Sequence, residues 1–435
     1  KCFLLAQGYM PAQDFHILKN PLHPEDPWYY TNELQYPLQT PQWSFDEGSL
    51  MRWKGFVPNE ANSSLASSAA GSSSGQKGNT SGKDSETVYA SSGRVINAAD
   101  SEEGSSVKLL AVGDNLIHIQ VINSGKKADG SYNYDHLYSN LKDIISAADI
   151  AVINQETILG GKAFPYSGYP RFNSPHEIGT ALVNAGFDVI LQATNHTMDM
   201  GLEGVKSNMA FWRQNYPDIK VLGINESREE YEQIPIIEKN GIKLAMLNYT
   251  YSLNGQALPK DMPYLVNMLD KKKMAEDIKK AEELADFTIV FPHWGVEYSY
   301  EASKSQKELT SFFYDLGVDL VIGTHPHVLQ PIEKYKDAYI VYSLGNFCFG
   351  GNTNPPDKDT IIYQQTFTFR NDKLVADDNV RIIPCSVSSV TTRNNYQPTP
   401  CEGSEKERII KRMNSYCKPY GIKFDKEGKL KKQSK

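Results

Sequence analysis

Between residues 107 and 350 the chain alternates short, β-branched apolar runs with longer amphipathic stretches that carry Lys and Glu. The runs at 107–112, 150–153, 189–192, 243–247, 287–291, 320–322 and 339–342 are rich in Val, Ile and Leu and end at polar residues or glycine, which predicts buried strands. The stretches 134–147, 174–185, 201–214, 271–285 and 303–316 repeat apolar residues three and four apart, which predicts helices. Strand–helix alternation at this spacing predicts an α/β fold with helices on both faces of a sheet. Segments near 361–369 and 379–384 are helix-poor and are expected to add antiparallel strands.

The pattern stops outside this region. Residues 1–58 are rich in Pro, Trp and Tyr, as in Pro27-Trp28-Tyr29-Tyr30, and show no sustained helical or strand period. Residues 59–104 are dominated by Ser, Gly and Ala, too polar to offset the entropy of ordering, and read as a flexible linker. The α/β region is expected to span 105–416, followed by a basic tail at 417–435 whose charges read as solvated.

Composition narrows the function classes. With 40% hydrophobic and 22% charged residues the chain is globular in type, and a net charge of −7 gives no basic excess, so nucleic acid is not expected as a partner. No apolar run approaches the roughly 20 residues that span a bilayer. The opening Cys2-Phe3-Leu4-Leu5-Ala6 is too short for a signal-peptide core, so an extracytoplasmic location is expected through a leader absent from this chain. The five cysteines form no CxxC pair; a disulfide among Cys385, Cys401 and Cys417 and free thiols are both open.

The chemistry gathers at strand ends. Asp114 follows 107–112, Glu156 follows 150–153, and Asn195-His196 follows 189–192, with Asp199 a turn further on. His293 follows 287–291, and His325-Pro326-His327 follows 320–322. The carboxyl ends of strands are where open α/β sheets bind ligands, and five ends in series each deliver a carboxylate, carboxamide or imidazole. A mixed N/O set without cysteine suits a hydrolytic centre of one or two divalent ions (Mn, Zn, Fe or Mg) rather than a structural thiolate zinc site. Around it, Arg171 is a candidate anion contact. Glu297 is close enough in sequence to orient His293. Ser343 and Asn346 are either phosphate or carbonyl contacts or turn residues.

The motifs Gly113-Asp114, Asn154-Gln155-Glu156, Asn195-His196-Thr197-Met198-Asp199, His293-Trp294-Gly295-Val296-Glu297-Tyr298, Gly323-Thr324-His325-Pro326-His327 and Tyr342-Ser343-Leu344-Gly345-Asn346-Phe347 resemble, in order, those of the CapA-like capsule-synthesis family. That family is associated with poly-gamma-glutamate capsules and is similar to calcineurin-like metallophosphoesterases. The resemblance implies a four-layer αββα sandwich. It also implies that Asp114 and His327 bind a first metal, that Glu156 bridges, that Asn195, His293 and His325 bind a second, and that His196 protonates the leaving group. The broader superfamily opens with Asp-x-His, whereas Asn115-Leu116 follow Asp114 here; His118 is a candidate replacement. Three functions stay open: a metal-dependent phosphoester hydrolase, a capsule-assembly component that binds an anionic polymer beside membrane-bound machinery, and a metal-dependent amide hydrolase of poly-gamma-glutamate or cell-wall peptide.

Overall fold

The computed structural model describes residues 104–350, 358–370, 373–387 and 396–431, together with the backbone of 43–46 and 49–53. The chain divides into two units, Lys1–Ser85 and Glu86–Lys435. In the first, β1 (Trp43–Asp46) and β2 (Ser49–Trp53) form an antiparallel hairpin with Trp43 opposite Trp53. The absence of a sustained period in the sequence had left this hairpin unforeseen. The expected linker lies outside the described residues except for Gly104, and so do residues 432–435.

In the second unit the chain runs through β3 (Ser105–Leu116), β4 (Ile150–Asn154), helix α1 (His176–Ala185), β5 (Val189–Leu191), helix α2 (Gly201–Asn215), β6 (Lys220–Leu222), β7 (Ile236–Lys239) and β8 (Ile242–Thr250). It continues through helix α3 (Lys271–Leu284), β9 (Phe287–His293), helix α4 (Lys304–Asp315), β10 (Leu320–Ile322), β11 (Ile332–Tyr335), β12 (Ala338–Val341) and β13 (Asn346–Phe349). The last elements are β14 (Asp359–Arg370), β15 (Lys373–Ser386), β16 (Thr399–Pro400) and helix α5 (Gly403–Cys417). They build two sheets: one in the order β16-β15-β14-β3-β4-β5-β6, with β13 also beside β3, and one in the order β11-β12-β10-β9-β8-β7. In both, the strands that carry the expected ligands are parallel, which brings their carboxyl ends to one edge.

Alternation along the strands sets the layers. On β3, Val107, Leu109 and Ala111 share a buried cluster with Phe287, Ile289 and Phe291 of β9, so these faces meet between the sheets. Leu110 and Val112 point the other way, against Ile178 and Leu182 of α1 and Trp212 of α2. Val290 and Ile340 face Met274 and Ile278 of α3 and Phe313 of α4. Helices, sheet, sheet and helices stack as four layers. Burying an apolar face on each side of each sheet leaves no other arrangement for two sheets of this kind.

Two expectations change, and one left open is settled. The helix expected at 134–147 is two short ones, Asp135–Tyr138 and Lys142–Ser146. Ser139 and Asn140 interrupt it: the Ser139 hydroxyl donates to the His136 carbonyl, and Asn140 donates its side-chain amide to Thr399. The basic segment after Cys417 is not a solvated tail. Ile422 and Phe424 are buried, and β15 bonds this segment through Ile382 N–H to the Gly428 carbonyl (2.8 Å) while Leu430 N–H donates to the Val380 carbonyl (2.9 Å). Lys423, Lys426, Lys429 and Lys431 are exposed on the outer face of this added edge. Finally, Cys348, Cys385, Cys401 and Cys417 are free thiols. Cys385 is buried in the helix-side cluster, and Cys401 and Cys417 pack with the inter-sheet cluster.

Candidate metal centre

β3, β4 and β5 from one sheet and β9 and β10 from the other end at the same place. Three groups of ligand atoms lie within 4.8 Å of one another there: Asp114, Glu156 and His327; Glu156, His293 and His325; and Glu297, His325 and His327. Glu156 belongs to the first two, so its carboxylate stands between Asp114 on one side and His293 on the other. Its Oε1 is 3.6 Å from His327 Nε2 and 3.7 Å from His293 Nε2. Asn195 joins the second group, its Oδ1 lying 3.0 Å from His293 Nε2.

The backbone is bent to make this possible. His325 (φ +98°) and His327 (φ +60°) both occupy the left-handed region, at a cost of about 1–3 kcal/mol each. His325 N–H donates to both Asp114 oxygens at 3.2 and 3.3 Å, which pins the strained turn to the end of β3. Gly113 is required for close approach: a side chain there would collide with the Gly345 backbone, whose carbonyl accepts Asp114 N–H at 3.0 Å.

Hydrogen bonding separates the ligands into two kinds. Asp114 is fully paired: it accepts from Asn154 Nδ2 (2.8 Å), from His327 Nδ1 (3.0 Å) and from the His325 backbone. Both oxygens of Glu156 and both ring nitrogens of His325 are buried and make no hydrogen bond. An unpaired buried polar group costs about 1–3 kcal/mol, and four such atoms facing one another fit a divalent ion. Burial lowers His325 and His293 well below the usual imidazole range, reinforced by the neighbouring histidines, so both rings are neutral and carry a lone pair. His293 Nδ1 is 3.0 Å from the Thr324 hydroxyl, which fixes the ring and lets Nε2 point at the centre. Burial also pushes the Glu156 carboxyl well above the usual carboxylate range; His327 opposes this, while Asp114, Glu297 and Asp199 add to it. For His327 burial disfavours the charged ring, but Glu156, the Asp114 hydrogen bond and Glu297 outweigh it and raise its pKa to about 10.

His196 sits beside these groups, held by Nδ1 against Asp199 Oδ2 at 2.8 Å, with its ring edge-on to Phe172. Asp199 therefore orients the histidine; its other partner is the Phe172 backbone N–H (2.7 Å). The Arg171 guanidinium donates to the Asp199 carbonyl. Asn346 Oδ1 accepts from His327 Nδ1 at 3.0 Å, whereas the Ser343 hydroxyl accepts Gly345 N–H and serves the turn. Two expectations differ. His118 joins none of the three groups: its ring is caged edge-on by Phe172 and Phe349, and burial lowers its pKa to about 3. Glu297 stands with His325 and His327 rather than with His293.

Sequence reasoning passed over Asn154, Thr324, Tyr251 and Asn254. Tyr251 lies tilted against His325 with ring centroids 4.6 Å apart, and Asn254 Nδ2 lies 3.4 Å from His196 Nδ1. Both follow β8, a sixth strand end with the same polar sequel, Asn248 to Gly255, as the five recognised.

Residues 108–351, more than half of the chain, match the family described as "Bacterial capsule synthesis protein PGA_cap". The chain belongs to this family. Residues 1–52 match a domain of unknown function (4846). Among relatives of the PGA_cap region, "Capsule biosynthesis protein CapA" of Bacillus anthracis is 29% identical over 272 residues, covering 60% of this chain and 64% of that one. "PGA biosynthesis protein CapA" of Bacillus subtilis (strain 168) is 30% identical over 258 residues, covering 58% and 66%. The chain thus spans less than two thirds of the length of these relatives. Of solved structures, a putative 5'-nucleotidase from Staphylococcus aureus superposes at TM-score 0.42 with 13% identity, covering 72% of this chain and 58% of that one. A purple acid phosphatase from yellow lupin superposes at 0.36 with 12% identity, covering 71% and 58%. Superpositions this loose carry no functional information. Among the described residues, no helix is long and apolar enough to cross a membrane.

Proposed function

We propose that the PGA_cap unit is a metal-dependent hydrolase of capsule-polymer synthesis, acting at the cell envelope on a phosphoester or related bond, with His196 as proton donor. The observation that carries this reading is the set of unpaired, buried ligand atoms on Glu156 and His325 beside an oriented histidine. Asp114, Glu156 and His327 would hold one divalent ion, and Glu156, Asn195, His293 and His325 the other. Ions held there supply Lewis-acid polarisation of a phosphoryl or carbonyl oxygen and lower the pKa of water at the site.

The remaining steps belong to the chain. Asp199 accepts the proton on His196 Nδ1, which leaves Nε2 to give a proton to the departing oxygen when the ring is charged. Phe172 at the ring's edge limits water there, and Thr324 keeps His293 from rotating away. Arg171, tied to the Asp199 carbonyl, places a positive charge near the same edge for an anionic polymer or phosphoester. An amide bond in poly-gamma-glutamate would meet the same groups.

The test is turnover of a phosphodiester and of poly-gamma-glutamate by the full chain with Mn²⁺ or Zn²⁺, beside H196Q and metal analysis of both proteins. Loss of about 10²–10⁴ in kcat with unchanged metal content is expected for H196Q. Equal rates for the two proteins, or the absence of metal uptake by the wild type, would leave polymer binding without catalysis as the reading.

A further inference from the structure

A carboxylate from the loop after β9 faces two of the metal-centre histidines. Glu297 presents an oxygen within 4.8 Å of ring nitrogens of both His325 and His327. Each of those rings also stands in another group, His327 with Asp114 and Glu156 and His325 with Glu156 and His293, so Glu297 adjoins both. Its charge is also felt by Glu156 and by the buried Tyr251. A residue four positions after His293 reaches this place because the loop doubles back. Gly295 (φ +95°) and Tyr298 (φ +62°) both take left-handed backbone, and a side chain at Gly295 would press on the Gln306 amide. Tyr298 N–H then donates to the Pro326 carbonyl at 2.8 Å, which fastens the loop to the turn that carries His325 and His327.

The loop is also braced from behind. Gln330 donates to the carbonyls of Ser299 (2.8 Å) and Glu301 (3.1 Å) and accepts from Gln306 Nε2 (2.9 Å). Gln306 is itself fixed in the capping box of α4 with Ser303. These bonds hold the backbone from Tyr298 to Glu301 and so fix the position from which the half-buried Glu297 side chain extends.

The donor atoms around the centre are not equally engaged. Asp114 has its oxygens engaged by Asn154, His327 and the His325 backbone. Leu116, two residues on, packs with Phe172 and Phe349 and offers no donor atom, and His118 is caged by the same two rings. Besides Asp114 the β3 segment brings the caged His118, whose buried Nε2 is unpaired, while on the side facing Glu297 both ring nitrogens of His325 are unpaired.

We propose that Glu297 is a direct ligand of the metal centre, supplying through the β9 loop a carboxylate oxygen to the side that carries His325 and His327. This rests on the reading that the centre binds divalent metal. Oxygen from a carboxylate beside imidazole nitrogen keeps the donor set suited to Mn, Fe, Co or Zn.

The test uses the full chain loaded with Co²⁺, whose visible absorption reports the donor set directly, together with calorimetric affinity. E297Q keeps the size of the side chain and removes the anionic donor, and E297H restores a donor of another kind. E297Q is expected to bind Co²⁺ at least about tenfold more weakly with an altered visible band, and E297H to recover affinity with a third, distinct band. Melting of the metal-free variants within a degree or so of wild type would show that folding is intact. A wild-type Co²⁺ spectrum in E297Q, with H327A as a control that changes it, overturns the assignment while leaving the metal centre standing. Absence of Co²⁺ uptake by the wild type overturns both.

Discussion

Glu156 is placed for metal at the expense of the metal-free fold, and the conflict can be measured. Its two oxygens are buried, unpaired and surrounded by Asp114, Glu297 and Asp199, with His327 as the compensating charge. Replacing it with glutamine removes the charge but keeps the shape, and His327 retains Asp114 and Glu297 as counter-charges. Glutamine leaves an unpaired amide but removes the cost of charging a buried carboxyl, so above the ordinary carboxylate range E156Q in a chelator is expected to be more stable than wild type, by about 1–3 kcal/mol. Because the folded-state pKa of Glu156 is raised above the ordinary 4.5, the wild type has its full stability from this group below that value and loses it as pH rises. The gap between the proteins in chelator should therefore widen from about pH 5 to about pH 8. With metal the order reverses: wild type gains about 2.7 kcal/mol at a hundredfold excess over Kd, and E156Q gains much less. Urea melts with EDTA and with Mn²⁺, at both pH values, give all four numbers. If E156Q is no more stable than wild type in EDTA and keeps the full Mn²⁺ gain, Glu156 is neither strained nor a ligand.

Other perturbations address neighbouring parts. T324V removes the hydroxyl on His293 Nδ1 and should weaken metal binding by about 10–100-fold without changing which metals bind, measured by calorimetry. D199N leaves His196 without its carboxylate partner; kcat should fall by about 10²–10⁴ while metal content stays at the wild-type level. His118, with its pKa lowered to about 3, contributes stability that is full above about pH 6.5 and is lost as pH falls toward 3. H118F should flatten the acid side of the stability curve by up to a few kcal/mol, seen in urea melts across that range. D359N frees Arg408 and Arg412 from the start of β14, to which both donate at 2.7 Å, and should cost about 1–3 kcal/mol in the same melts.

The strands that carry the centre were legible because each is a short apolar run closed by a polar residue, and β10 (Leu320–Ile322) was located to the residue. Elements without that contrast were not. β6 opens on a lysine and β16 is a Thr-Pro pair, so neither is an apolar run closed by a polar residue, and α5 is so heavily charged that its buried Ile409, Ile410 and Met413 hardly stand out. The ligand types were legible for the same reason as the strands, since the residue after a buried run has to leave the sheet at its carboxyl edge. Spacing misled at Glu297, where two left-handed residues send the chain to a different histidine pair, and at His118, whose ring serves an aromatic cage. Thr324 and Asn154 act only through the residues they touch, and nothing in a linear sequence reports a hydrogen bond between strand ends nearly 140 residues apart, such as Asn154 with His293.

The two sheets meet across an apolar interior, yet at one edge they are joined by polar groups alone: Asp114, Glu156 and Asn195 come from one sheet and His293, His325 and His327 from the other. An ion bound there would act as a rivet through the seam. Occupancy would then be felt along the whole interface, and a change in sheet packing far away, as at the Phe287–Phe367 contact (centroids 4.2 Å apart), would register as a change in metal affinity. Hydrogen exchange along β3 and β9 should slow together when the rivet is set.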